Sequence, residues 1–107
     1  MNELKLLNAF SLNMVSESKG SLLFREISLD EARGLLDGGF ESAVGHSDTA
    51  AVMASQLGVT VPAIRATIAL KKGDSAIVGQ YKGPRLPEGA STLPEGASIV
   101  WYLIEVA

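Results

Sequence analysis

A single histidine and its neighbours are the residues of this chain best suited to chemistry. His46 is the only histidine among 107 residues, and it stands between Gly45 and the start of a helical pattern. An imidazole exchanges protons near neutral pH, so it can act as a general acid or base. A helix N-terminus attracts anions, and a glycine lets a phosphate approach the backbone closely. This order of residues predicts a phosphate-binding site beside a histidine.

His46 also has simpler interpretations. It could be a surface neighbour of a helix cap formed by Ser47 or Asp48. A metal site built on His46 and Asp48 would have too few ligands, because the chain has no cysteine and no second histidine. A phosphoesterase with two His-x-Ser/Thr motifs is excluded for the same lack of a second histidine. We therefore expect neither a metal nor a cofactor.

Two arginines and a glutamate are candidates for contact with a phosphate. Arg85 and Glu88 lie three residues apart in a loop that prolines stiffen. Arg85 could hold a phosphate, and Glu88 could position a hydroxyl or a water. Arg65 lies on the polar side of an alternating segment, and its fork of donors also suits a phosphate. For all three residues, an ordinary exposed ion pair is the alternative.

Polar residues near the ends of predicted strands could contact a ligand's phosphates or bases. Asn8, Ser11 and Asn13 follow the apolar start of the first predicted strand, and Gln80 stands near the end of a later one. Asn and Ser in such places commonly bond their own backbone, and that is the favoured interpretation of each residue alone. Their placement at strand ends nevertheless supports a ligand site around His46.

The elements that must position these residues form an α/β domain with a mixed sheet flanked by helices. Ser28 and Glu31 make a capping box that begins one helix, and a second helix starts after His46 and stops at Gly58. Residues 71–74 predict a hairpin turn between two strands, which argues against a purely parallel sheet. Apolar patterning predicts strands over residues 4–10, 40–44, 64–70, 75–81 and 99–106, with a short edge segment over 22–24.

Length, charge and composition limit the class of protein. We expect residues 1–107 to form one domain, because this length supports one hydrophobic core. A net charge of −3 argues against binding to duplex nucleic acid. The absence of cysteine suits a reducing cytoplasm, and we see neither a signal peptide nor an apolar run long enough for a membrane span. The sequence LPEGAS occurs twice, at residues 86–91 and 93–98, which indicates a local duplication that lengthened a loop.

Five segments in the same order resemble the viral type III anti-CRISPR ring nucleases. They are LLNAFSLNM at 6–14, SAVGHSDTA at 42–50, VPxxR at 61–65, GQ at 79–80 and RLPEG at 85–89. The resemblance covers essentially the whole chain, and the duplicated LPEGAS is a departure from the family pattern. It implies a homodimer that binds cyclic tetra-adenylate across its interface and cleaves it, antagonising type III CRISPR signalling in the host cytoplasm.

The resemblance also implies roles for individual residues. His46 matches the family's catalytic histidine, and Arg85 and Glu88 match its active-site arginine and glutamate. No metal is expected, because a ribose 2′-hydroxyl can attack the neighbouring phosphorus and leave a 2′,3′-cyclic phosphate. The residues that correspond to ring contacts are Asn8, Ser11, Asn13, Ser47, Thr49, Arg65 and Gln80.

Two other classes of protein are alternatives to an enzyme. A non-catalytic module, either a nucleotide sponge or a sensor, would use the same contacts but would leave the ring intact. A small nucleic-acid-binding regulator is disfavoured by the acidic charge balance and by the lack of a basic, aromatic-rich surface.

Overall fold

A five-stranded mixed sheet organises the chain. The computed structural model describes residues 4–65, 67–86 and 89–107. The strand order is β2-β5-β4-β1-β3, in which β1 runs parallel to β3 and β4, whereas β5 is antiparallel to β4 and β2. This confirms the predicted α/β class and mixed sheet. In chain order the elements are β1 (Lys5–Leu7), a 3-10 helix (Leu12–Met14), β2 (Leu22–Ile27), α1 (Leu29–Leu36), β3 (Glu41–Ser42), α2 (Ser47–Leu57), β4 (Ser75–Lys82) and β5 (Ser98–Val106).

The two faces of the sheet are covered by different kinds of structure. Both helices pack on one face, which we call the helix face, and the irregular segments 10–15 and 68–70 cover part of the other, which we call the open face. Among the described residues, no helix is both long enough and apolar enough to cross a membrane. The helix-face core contains Leu6, Ala32, Leu36, Met53, Leu57, Ile77 and Trp101, and the open-face core contains Leu7, Ile68, Leu70, Ala76, Val78 and Ile104.

The start of α1 confirms one half of the predicted capping box. The Ser28 hydroxyl accepts a hydrogen bond from the Glu31 amide at 3.1 Å. The Glu31 carboxylate does not reach back, because it accepts instead from the Arg25 guanidinium of β2. The hydrogen bond from Arg25 lowers the pKa of Glu31, so the stabilisation from this exposed pair is lost as the pH falls through that pKa.

The boundaries of α2 place His46 at its N-cap. Gly58 ends the helix in a left-handed conformation, with φ of 72°, as the sequence predicts. The expectation that Ser47 or Asp48 caps the helix is wrong, because both lie within its first turn. His46 occupies the cap with an extended backbone, and its carbonyl accepts from the Ala50 amide at 2.9 Å. Its side chain makes no capping bond and so is left for other contacts.

The predicted strand over residues 64–70 is wrong for the described part of that segment. Only Ala63 and Leu70, at its margins, form isolated bridges, to Val44 and Val15 respectively. A hairpin through residues 71–74 would place this segment on the edge of β4 at residues 76–78, but β1 already pairs with that edge and β5 pairs with the other. Its apolar alternation instead buries Ile68 against the open face as an irregular cover.

The hairpin of this fold lies later in the chain than the sequence predicted. Residues 71–74 form a turn in which the Lys71 amide donates to the Asp74 carboxylate at 2.9 Å, but the described residues directly before that turn form no strand. The hairpin is formed by the antiparallel strands β4 and β5, which residues 83–97 connect. The first LPEGAS copy and most of the second therefore lie in one long hairpin loop, which we call the β4–β5 loop.

Gly79 generates a test of the packing on the helix face. A Cβ atom at this position would lie 2.6 Å from Trp101 Cζ3 and even closer to the end of Met53. We expect Gly79→Ala to lower the free energy of unfolding by about 1–3 kcal/mol, because an added methyl overpacks the core. Urea unfolding measures the change.

Gly34, in α1, provides the matched control. An added Cβ there would have no neighbour within 4 Å. Gly34→Ala is expected to raise stability by about 0.5–1 kcal/mol through helix propensity. Equal effects of the two substitutions would contradict the packing described here.

Candidate functional site

His46 lies between two clefts and lines both of them. The first, which we call the Arg65 cleft, has a volume of about 400 Å³. The second, which we call the Arg85 cleft, has a volume of about 730 Å³. The Arg65 cleft is lined by Asn8, Ala43, Gly45, His46, Arg65 and Thr67, and the Arg85 cleft by His46, Asp48, Thr49, Tyr81, Gly83, Arg85 and Leu86.

The chain leading into His46 is held against residues 62–65. The Ser42 hydroxyl donates to the Pro62 carbonyl at 2.6 Å, and the Ile64 amide donates to the Val44 carbonyl at 2.9 Å. Val44 is fully buried, which fixes this crossing in the core. His46 follows two residues later, so its position relative to the segment that carries Arg65 is set by backbone contacts.

Arg65 contacts Gly45, the residue immediately before His46. Its Nε donates to the Gly45 carbonyl at 3.3 Å. A Cβ on Gly45 would lie 3.4 Å from Arg65 Cγ, in ordinary van der Waals contact, so the arginine stem runs close to Gly45. Within residues 4–65, 67–86 and 89–107, Arg65 forms no ion pair with a carboxylate. Its guanidinium is therefore a cation available to an anion in the Arg65 cleft.

Arg85, on the β4–β5 loop, lines the second cleft together with His46. The Tyr81 hydroxyl donates to the Pro84 carbonyl at 2.5 Å, which fixes the residue just before Arg85. Arg85 likewise makes no ion pair with any carboxylate of the described chain. Glu88 lies outside the described residues, so its predicted place beside Arg85 stays a prediction.

The remaining predicted ligand residues do not all meet at His46. Asn8 follows β1 and lines the Arg65 cleft, and Thr49 lines the Arg85 cleft. Gln80 lines neither cleft but faces a groove of about 540 Å³ on the open face, which Asn8 also lines. Three predicted residues are exposed and outside the lining of both clefts: Ser11 and Asn13, at the 3-10 helix, and Ser47, the first residue of α2.

Three polar residues that sequence reasoning did not select also line the clefts. Thr67 lies in the Arg65 cleft, two residues after the arginine on the segment that was interpreted as a strand. Tyr81 lies in the Arg85 cleft, next to Gln80 in the sequence. The sequence offers Asp48 only as a helix cap or a metal ligand, whereas its carboxylate accepts a hydrogen bond from the Gly89 amide at 3.2 Å. The hydrogen bond between Asp48 and Gly89 joins residues 41 positions apart, so no local sequence pattern could reveal it.

The arrangement suits an anionic ligand that spans both clefts. Arg65 and Arg85 stand on either side of a group that can donate a proton, and α2 begins at that same group. Arginine binds phosphate oxygens through paired donors, and the positive end of a helix adds to the attraction. The described residues contain no group of three or more histidine or acidic side chains arranged to hold a metal ion.

Comparison with known proteins places this fold in a family. The STIV B116-like family model matches residues 4–97. The solved structure of B116 of Sulfolobus turreted icosahedral virus (STIV) is similar to this chain, with a TM-score of 0.82 and 24% sequence identity over 97% of this chain and 99% of that one. No curated protein matches the chain. Because the family model spans most of the sequence, the chain belongs to the STIV B116-like family.

Proposed function

We propose that this chain is a metal-independent ring nuclease that cleaves cyclic tetra-adenylate to linear di-adenylates with 2′,3′-cyclic phosphate ends. The observation that carries the proposal is the place of His46, which lines two adjoining clefts with one arginine in each. A phosphodiester lying across His46 would meet a cation on both sides and a proton donor at its centre. The sequence resemblance to the anti-CRISPR ring nucleases supports the choice of substrate.

The proposed reaction uses a nucleophile that RNA supplies itself. The ribose 2′-oxygen attacks the adjacent phosphorus and passes its proton to solvent water as the new P–O bond forms. The bond from phosphorus to the 5′-oxygen then breaks, and His46 donates a proton to that leaving oxygen. Arg85 and Arg65 stabilise the negative charge on the phosphoryl oxygens. Glu88 would position the hydroxyl, and two such cleavages divide a four-membered ring into two equal halves.

The groove on the open face adds a surface suited to adenine bases. Phe24 is 72% exposed and packs edge-on against Tyr102, with ring centroids 6.4 Å apart. Both rings line the groove together with the amides of Asn8 and Gln80. Aromatic rings stack on bases, and amide side chains can hydrogen-bond to their edges. Asn8 also lines the Arg65 cleft, so the groove proposed for bases adjoins the cleft proposed for a phosphate at this residue.

A homodimer would complete the site. A cyclic tetranucleotide is compatible with two-fold symmetry, so two copies of the chain can present the same groups to opposite phosphates. Pairing the arginines of two protomers would produce a local positive field on a chain whose net charge is −3. Ser11, Asn13 and Ser47 are exposed beyond the clefts and are available to a ring that extends past one protomer. In a host cell, removing the ring would antagonise type III CRISPR signalling.

Replacing His46 tests the catalytic role. We expect His46→Ala to slow single-turnover cleavage by about 10²–10⁴-fold, because it removes the general acid. Ring affinity should stay within a few-fold of the parent value, because the arginines remain. Gel-resolved product formation and isothermal titration measure the two quantities. Cleavage by His46→Ala at the parental rate would contradict the mechanism, and binding without cleavage by the parent protein would indicate a sponge or sensor.

Removing metal tests the class of mechanism. The parent protein in excess EDTA should cleave the ring at its ordinary rate, since the proposed chemistry uses only side chains and the 2′-hydroxyl. Product analysis should then show di-adenylate with a cyclic phosphate end. Loss of cleavage in EDTA with recovery on adding a divalent ion would require a different active site.

Replacing Arg85 tests the symmetric site. Titration of the parent protein should give one ring for two chains, and Arg85→Ala should weaken binding about tenfold or more as well as slow cleavage, since it removes a charged phosphate contact. Lys72→Ala removes the same charge from the turn at the opposite end of β4 and serves as the control. One ring bound per monomer with full activity would overturn the dimeric site, and equal losses in the two variants would indicate a net-charge effect.

A further inference from the structure

We propose that Asp48 is a positioning residue whose carboxylate holds the β4–β5 loop beside α2 and thereby sets the place of Arg85 relative to His46. The hydrogen bond between the Asp48 carboxylate and the Gly89 amide, 3.2 Å long, carries the proposal. It joins residues 41 positions apart in the sequence. Its consequence for catalysis rests on the proposed ring-nuclease function, whereas its effect on the loop does not.

The β4–β5 loop needs a contact away from its ends. At its base, the Tyr81 hydroxyl holds Pro84, and Gly83 approaches so closely that an added Cβ would lie 2.7 Å from the Cβ of Ala97. These contacts hold the described residues at the two ends of the loop. Among the described residues, the bond from Gly89 to Asp48 is the hydrogen bond that joins the middle of the loop to another element.

Arg85 lies between these two points of attachment. Pro84 is held on one side by Tyr81, and Gly89 is held on the other side by Asp48. A guanidinium on a chain fixed at both sides samples fewer positions than one on a free loop. The cation is thereby preorganised over the Arg85 cleft before a ligand arrives, which reduces the entropy cost of binding.

The chemistry of both partners fits this role. Asp48 is the second residue of α2, where the positive end of the helix stabilises a carboxylate. A carboxylate that lines an anion cleft would repel phosphate, so a structural acceptor role is a physical reason for an acidic residue there. Gly89 has φ of 80°, a left-handed conformation that glycine adopts without strain. The first LPEGAS copy therefore supplies the residue that the turn needs at the point of contact.

The first test measures the contact itself and needs no nucleotide. In NMR measurements of amide exchange with water, Asp48→Ala should speed exchange at Gly89 about tenfold. This is the change expected from losing one modest hydrogen bond to a charged acceptor. Asp48→Asn keeps an acceptor oxygen and should restore exchange to within a few-fold of the parent rate. Asp30→Ala is the matched control, because Asp30 is the second residue of α1 and forms an ion pair with Arg33 on its own helix.

These variants give outcomes that separate the contact from the charge. Unchanged exchange at Gly89 in Asp48→Ala would overturn the proposal, and so would an equal increase in Asp48→Ala and Asp48→Asn. An equal increase in Asp30→Ala would assign the effect to net charge and would also overturn it.

The second test connects the contact to cleavage of cyclic tetra-adenylate. Single-turnover cleavage should fall about tenfold in Asp48→Ala and recover in Asp48→Asn, in parallel with exchange at Gly89. A fall in both variants would show that the carboxylate charge acts on the reaction directly, which contradicts a positioning role. If the parent protein cleaves no ring, the proposed function fails, but the exchange data still decide whether Asp48 holds the loop.

Discussion

The crossing of residues 42–45 with residues 62–65 is the constraint on which the site depends. Three hydrogen bonds form this crossing. The Ser42 hydroxyl donates to the Pro62 carbonyl, the Ile64 amide donates to the Val44 carbonyl, and the Arg65 Nε donates to the Gly45 carbonyl. The first two bonds each involve a buried residue, Ser42 or Val44, so breaking either would remove a hydrogen-bond partner from a polar group of that residue. Because α2 begins directly afterwards, the same crossing aligns a helix N-terminus, a histidine and an arginine.

The other half of the site comes from a different part of the sheet. Strand β4 pairs with β1 over residues 76–78 and with β5 over its whole length, so β5 holds the end of β4 that leads into the β4–β5 loop. The loop brings Arg85 to the second cleft that His46 lines, separate from the cleft that contains Arg65. Two cations that are remote in sequence thus approach one imidazole, and a chain with negative net charge acquires a local positive region.

The duplicated LPEGAS sequence lies where the fold tolerates extra length. Closing a loop costs free energy that grows only slowly with the number of residues, so an added copy in a hairpin connection disturbs the sheet little. The first copy contains Gly89, which contacts α2, and the second ends at Ser98, the first residue of β5. The two copies therefore occupy different environments, one near the Arg85 cleft and one leading into the sheet.

The sequence by itself determined the features that depend on neighbouring residues. The Ser28 cap, the stop at Gly58 and the apolar run that forms β5 were all predicted, because caps, turns and strand patterning follow from local backbone chemistry. The position of His46 directly before a helix follows in the same way.

Only the tertiary structure decided which of these residues meet. The alternation in residues 64–70 resembles a strand, but the edges of β4 are taken, so the segment lies over the open face instead. Ser11 and Asn13 lie near Asn8 in sequence, yet of the three only Asn8 lines a cleft at His46, the Arg65 cleft. The contact of Asp48 with Gly89 depends on how the β4–β5 loop folds back over α2. The pairing of strand edges and the placement of loops depend on residues far apart in the chain, so local residue patterns do not predict them.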